Sequence, residues 1–193
     1  MMKGYRKLIS RKDIGMSENA TSVMPPHETI AAEEHSLFDS WTLFAHLPHD
    51  TDWSLKSYKS IHTYNTAEGT LAVAETLPDA LVRNCMLFMM RKGIQPTWED
   101  TRNRHGGCFS YKVTNKLVPS TWRNLMLSVA GETAANRADI AGDITGITIS
   151  PKKNFCIIKV WMGSCRFQNP DHITGVNGPA AQGCIFKKQT PEY

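Results

Sequence analysis

The sequence predicts an α+β domain built on an antiparallel sheet with helices over one face. Three observations lead there. Short runs rich in β-branched and aromatic residues recur along the chain, separated by clusters of Gly, Pro, Asn and Asp. Two segments carry helical signals, one entered at Asn65 or Thr66 and one at Ser120 or Thr121. The links between strand-like runs are short and hairpin-like, which favours antiparallel neighbours.

Residues 1–33 read as a flexible basic tail ahead of a single domain over 34–193. Apolar periodicity is poor there, and Ser17-Glu18-Asn19-Ala20-Thr21-Ser22 followed by Pro25-Pro26 discourages regular structure. The basic start fits a solvated arm, a weakly amphipathic helix or a targeting-like segment. Order is expected from His35. Ser40 to Leu47 reads as a first strand, and Pro48 to Asp52 as a loop carrying Trp53. A tryptophan on a polar loop either packs inward or invites a ligand.

Tyr58 to Tyr64 reads as a second strand. A helix over Ala67–Leu77 follows, with Glu68 in its first turn and Pro78 just beyond its end. Met86 to Arg91 is a third, apolar strand closed by Lys92-Gly93, and Cys108 to Val113 a fourth. Trp122, Leu125, Met126 and Val129 then share one helical stripe. Ile144–Ser150 and Phe155–Met162 form a hairpin through Pro151-Lys152-Lys153-Asn154, and Cys184–Lys188 is a last short strand.

At 193 residues the chain suits one domain with a sizeable core. Its 41% hydrophobic and 21% charged content is that of an ordinary soluble protein. No apolar run approaches the roughly 20 residues that cross a bilayer, and no apolar signal core opens the chain. The expectation is an intracellular, cytoplasmic protein with no membrane partner and with the nucleus also open to it. Five cysteines without a CxxC pair suit reduced thiols. His105 and Cys108 lie three apart with no second pair at zinc spacing, so no metal is expected.

The net charge of +4 is concentrated at one end. Lys3, Arg6, Lys7, Arg11 and Lys12 lie in the first twelve residues, and without them 17 bases face 18 acids. Such a body does not coat phosphates along a duplex; any contact with nucleic acid has to be local and structured.

Nucleotide-hydrolase and hydrolase signatures (GxxxxGK[ST], GxGxxG after a strand, GxSxG, HExxH) are absent, and the acids are dispersed, so no catalytic activity and no cofactor are expected. The tryptophans say more. Trp41 and Trp122 sit in apolar patterns and read as core. Trp53 and Trp98 sit on polar turns, where two rings can hold a base between them, and Glu99 stands beside the second. An indole face attracts a cationic ring, and a carboxylate accepts hydrogen bonds from its edge.

These residues are arranged in a pattern that resembles the translation initiation factor 4E family, the proteins that bind the methylguanosine cap of messenger RNA. The resemblance rests on His35-x-Leu37, Trp41-x-Leu43, Trp53, Thr66-Ala67-Glu68, Gly93-Ile94-x-Pro96-x-Trp98-Glu99-Asp100, Asn103, Gly106-Gly107, Trp122, Gly131-Glu132 and Trp161. It covers about His35 to Trp161 and weakens beyond. It implies a single curved antiparallel sheet, helices on its convex face and a cap-binding cleft on its concave side. Trp53 and Trp98 would stack on the two faces of 7-methylguanine. Glu99 would accept the N1–H and N2–H, the Trp98 backbone N–H would meet the carbonyl oxygen, and Trp161 would touch the N7-methyl.

Departures accompany the likeness. Where the family has Arg after Gly-Gly, Cys108 stands. An ungapped count puts Lys152 and Ile157 at the family's phosphate-binding Arg and Lys, whereas alignment on Gly142 puts Thr148 at the Arg. Strand alternation puts Lys159 on the face of Trp161, making it the first candidate for the cap phosphates, ahead of Lys152, Lys153 and Arg166. The resemblance assigns His35, Leu37, Leu71, Trp122 and Leu127 to a convex face that docks a scaffold initiation factor 4G-like protein or a 4E-binding protein. There Leu71 replaces a tryptophan, and Arg123 and Asn124 stand where an apolar residue and an acid are usual. A partner with the usual Tyr-x-x-x-x-Leu-Φ helix should therefore dock differently or weakly. The pattern is that of a divergent paralogue, of the kind found where protozoa such as trypanosomatids carry several copies. Two rival readings are a scaffold that keeps the fold with weak cap affinity and a cap-processing hydrolase. The latter is disfavoured for want of clustered glutamates.

Overall fold

The computed structural model describes residues 34–190, and the basic tail expected over 1–33 lies outside them. Seven antiparallel strands form one sheet in the order β2-β1-β3-β5-β6-β4-β7. They are β1 (Ser36–His46), β2 (Lys59–Thr66), β3 (Met86–Arg91), β4 (Gly107–Thr114), β5 (Ile144–Pro151), β6 (Phe155–Met162) and β7 (Ile185–Lys188). The sheet is curved, with helices on one side, so the α+β expectation holds.

Side chains alternate between faces at period two, and the sequence uses this to build two separate apolar layers. Leu87 and Met89 of β3, with Ile158 and Val160 of β6, join the main core beneath the helices. Phe88 and Met90 point the other way and form a smaller cluster with Ile94, Cys108 and Trp161 on the open face. That second cluster is the floor on which a site can be built.

Four α-helices are described: α1 (Ala67–Thr76), α2 (Asp79–Asn84), α3 (Val118–Ala130) and α4 (Ala138–Ala141). Thr66 caps α1, its side chain accepting from the Gly69 N–H at 3.1 Å. Trp122, Leu125, Met126 and Val129 of α3 are all buried against the sheet, as their spacing predicts. The helix begins earlier than Ser120 or Thr121, however. Pro119 occupies its first turn, where a missing N–H costs nothing, and the Ser120 hydroxyl donates back to the Leu117 carbonyl. The six residues of α2 carry too short a pattern to be legible.

Trp122 requires a correction. The resemblance assigns it to the partner face, but it is fully buried, as its apolar pattern predicts, and supports the helical face from beneath. Arg123 is likewise tied internally. Its guanidinium donates to the carbonyls of Ala74 (3.0 Å) and Leu77 (2.8 Å) and to Asp79 (2.6 Å), so it clamps α1 and the start of α2 onto α3. Leu71 and Leu127 are exposed, Leu37 is half-buried against the core, and His35 is exposed and bonded to Glu68.

Candidate functional site

The open face holds a cleft of about 770 Å³, within the usual size of a small-molecule site. One wall carries Trp53 and Tyr58; another is the segment Pro96-Thr97-Trp98-Glu99. Phe88, Thr148, Cys108, Ser110 and Trp161 form the floor, and Lys159, Lys187 and Lys188 supply the cations. Trp53, Trp98, Glu99, Trp161 and Lys159 therefore meet in one cavity, as their sequence pattern anticipates.

Each wall is positioned by local chemistry. Trp53 lies between Asp52 and Ser54, and the Asp52 carboxylate accepts from the Ser54 N–H and hydroxyl, both at 2.8 Å. Those Ser54 donors, the backbone one first, hold the Asp52 carboxyl below its ordinary range. The Trp53 indole stacks on His46 with ring centroids 4.0 Å apart and planes 5° from parallel. One face of Trp53 is thus covered by protein, and the side chain remains 55% exposed.

The Trp98 wall is locked from below. Asp100 accepts from the N–H groups of Gln95 and Arg102, both at 2.9 Å. Asn103, fully buried, donates its amide to the Thr97 (2.8 Å) and Gln95 (3.2 Å) carbonyls. The loop is therefore rigid where it presents Trp98, itself 53% exposed. Glu99 is exposed and makes no hydrogen bond or ion pair among the described residues. Burial first, and the Glu99 charge second, push the pKa of the Tyr58 hydroxyl up.

Gly106 and Gly107 are needed for close approach rather than for a turn. A Cβ on Gly106 would sit 1.7 Å from the Met162 carbonyl oxygen, and one on Gly107 2.3 Å from the Phe186 ring. Their smallness lets β4 settle between β6 and β7. Cross-strand register then sets Cys108 between Trp161 on one side and Lys187 on the other. One step along, Ser110 lies between Lys159 and Ile185.

Not every expected cation joins. Lys152 and Lys153 lie at the turn between β5 and β6 and do not line the cleft. Arg166 lies off it too, 4.0 Å from Asp143 and over the Phe167 ring. Lys187 and Lys188 take their place. The short strand was legible in the sequence, but its pairing with β4 is a long-range contact with no local signal. Thr148, which alignment on Gly142 puts at the family's phosphate-binding Arg, lines the cleft as a neutral side chain, whereas Tyr58, Phe88 and His46 read as ordinary strand positions and carry no sequence signal for a site. Among the described residues no group of three or more His, Cys, Asp or Glu gathers as a metal site would require.

Residues 36–179 match the family model described as "Eukaryotic initiation factor 4E". The chain is 30% identical over 173 residues to eukaryotic translation initiation factor 4E-2 of Schizosaccharomyces pombe, covering 86% of this chain and 69% of that protein. It is 26% identical over 164 residues to an initiation factor 4E homologue of Acanthamoeba polyphaga mimivirus, covering 78% of this chain and 55% of the relative. In structure it is similar to Ascaris suum eIF4E-3 in complex with the m7G cap, with TM-score 0.61, 22% identity and coverage of 69% and 76% of the two chains. It is also similar to Schistosome eIF4E complexed with m7GpppG and 4E-BP, with TM-score 0.62, 24% identity and coverage of 69% and 74%.

Proposed function

This chain belongs to the eukaryotic initiation factor 4E family, and on that premise we propose that its cleft binds the 7-methylguanosine cap of messenger RNA, in translation initiation or its regulation. The observation that carries the reading is the convergence of two half-exposed indoles and a carboxylate free of internal partners in one cleft. Methylation at N7 makes guanine cationic. Two electron-rich indole faces, Trp53 and Trp98, then attract the ring, each such contact being worth about 1–3 kcal/mol. Glu99 accepts from the N1–H and N2–H edge, a charge-assisted pair that an adenine cannot offer. Trp161, in the floor, lies against the N7-methyl.

The negative charge of the cap continues past the base, so its phosphates need cations. Lys159 is the first of these, with Lys187 and Lys188 beside it. Cys108 leaves the strand between them without a charge of its own. No step here breaks a bond: the protein is a binding factor and not an enzyme. Its second partner is a scaffold initiation factor 4G-like protein or a 4E-binding protein on the helical face, where Leu71, Leu127, Leu37 and His35 are accessible. Translation places such a protein in the cytoplasm.

Tryptophan fluorescence tests the reading. Titration with 7-methyl-GTP should quench the emission to saturation, because both stacking indoles change environment. An absence of quenching would favour a scaffold that keeps the fold without useful cap affinity, and release of nucleoside products would favour the hydrolase.

A further inference from the structure

The half of the sheet beyond the cleft is free of carboxylates. Residues 107–131, 144–170 and 172–191 contain no Asp or Glu, and they supply every residue of β4, β5, β6 and β7. The bases on the open side are arranged along a line. From the cleft, the facing pairs of β4 and β6 run Cys108 with Trp161, Ser110 with Lys159, Lys112 with Ile157 and Thr114 with Phe155. Side chains of the intervening residues, such as Ile158 and Val160, are sunk in the main core, so this line is the open face. Exposure rises along it: Cys108 is buried, Ser110 is half-buried, and Lys112 and Thr114 are exposed. The Lys112 ammonium lies 4.5 Å over the Phe155 ring, and the turn beyond carries Lys152 and Lys153, both exposed. From Trp161 to Phe155 is six residues of strand, or about 20 Å.

We propose that this line of Lys112, Phe155, Lys152 and Lys153 is a track for the single-stranded RNA that follows the cap, so that the ligand is the cap with its first nucleotides rather than the cap alone. The inference rests on the cap reading above. A capped transcript is a polyanion that leaves the cleft at the phosphates, where Lys159 and Ser110 stand. The only continuation from there along β4 and β6 is cationic and carries an aromatic ring. Lysines alone hold phosphates without reading sequence, and a ring adds a stacking surface that accepts any base. Lys152, which the ungapped count offers for the cap phosphates, and its neighbour Lys153 thus serve the nucleotides downstream.

The test compares 7-methyl-GTP with a capped RNA of about eight nucleotides, a length within the usual site sizes of single-strand binders. Wild type should bind the capped RNA more tightly, with a salt slope steeper by about 2 for three phosphate contacts. Raising salt from about 50 to about 200 mM should then cost the RNA about 15-fold more affinity than it costs the analogue. The Lys112→Gln, Lys152→Gln, Lys153→Gln triple variant should lose this excess and keep the wild-type affinity for 7-methyl-GTP. These side chains are exposed, so folding should be unaffected. Equal affinities and slopes for the two ligands in wild type, or an excess that survives the triple variant, would overturn the track alone. Failure of 7-methyl-GTP itself to bind would overturn the cap reading and the track with it.

Discussion

The Trp53 indole lies flat on the imidazole of His46, with centroids 4.0 Å apart and planes 5° from parallel. His46 is buried and its Nε2 is 2.8 Å from the Asp52 carbonyl, so the ring that backs Trp53 is itself held in place. A ligand meets an indole already oriented and covered on one side, and it loses less freedom on binding than it would against a free side chain.

His46→Ala should therefore weaken binding of 7-methyl-GTP by about three- to tenfold, the worth of one aromatic pair at about 0.5–1.5 kcal/mol. His46→Phe should retain most of the affinity, because it keeps the stack. Fluorescence titration of both variants, with circular dichroism to verify folding, checks this.

Arg91 is buried at the end of β3, where it pairs with both Glu132 oxygens at 2.6 and 3.1 Å, approaches Asp39 at 3.4 Å, donates to the Ile144 carbonyl and stacks over Trp41. Glu132 reaches it from a left-handed backbone, φ 54°. Removing Glu132 leaves the buried Arg91 guanidinium with only the longer Asp39 contact to balance its charge. Glu132→Ala should cost about 3 kcal/mol of stability in urea unfolding at neutral pH.

The glycines of the motif fail in different ways. Gly106→Ala would push a methyl into the Met162 carbonyl and should cost about 3 kcal/mol by overpacking. Gly93, at φ 75°, has open space around it. Gly93→Ala should cost only about 1–2 kcal/mol, from backbone conformation alone. Thermal melts of the two variants should differ in that order.

Acid acts on the start of β1. The His35 side chain and backbone N–H lower the Glu68 carboxyl to about 2, at 2.7 and 2.9 Å. A depressed folded-state pKa contributes stability above the unfolded value near 4.5 and loses it as pH falls toward 2. Glu68→Gln should flatten that part of the stability–pH curve and, above about pH 5, lower it by a constant amount without changing its slope. The pair is exposed, so the effect is small and should fade in salt.

Local signals made much of this legible. Met86–Arg91 and Phe155–Met162 are readable to the residue, because an apolar run ends at Lys92-Gly93 and a Pro-Lys-Lys-Asn turn opens the second. The motif from Pro96 to Gly107 was informative because its polar members all act within a dozen residues, Asp100 and Asn103 locking the loop that Trp98 crowns. What failed was long-range or disguised. Lys187 reaches the cleft only through pairing of β7 with β4, whereas Lys152, well placed by counting, sits in the hairpin turn that the sequence also predicts, off the cleft. Ser120 resembles a cap, yet Pro119 had already opened the helix.

The central claim is that the cleft selects a cationic purine by aromatic stacking and a carboxylate edge. The ratio of dissociation constants for GTP and 7-methyl-GTP, measured at one salt concentration, tests it most directly. A desolvated cation–π contact of about 2 kcal/mol predicts a preference of about 30-fold or more for the methylated nucleotide, largely abolished in Trp98→Ala and in Glu99→Ala. Affinities for the two nucleotides within about twofold of each other, or a preference that both variants retain, would contradict it.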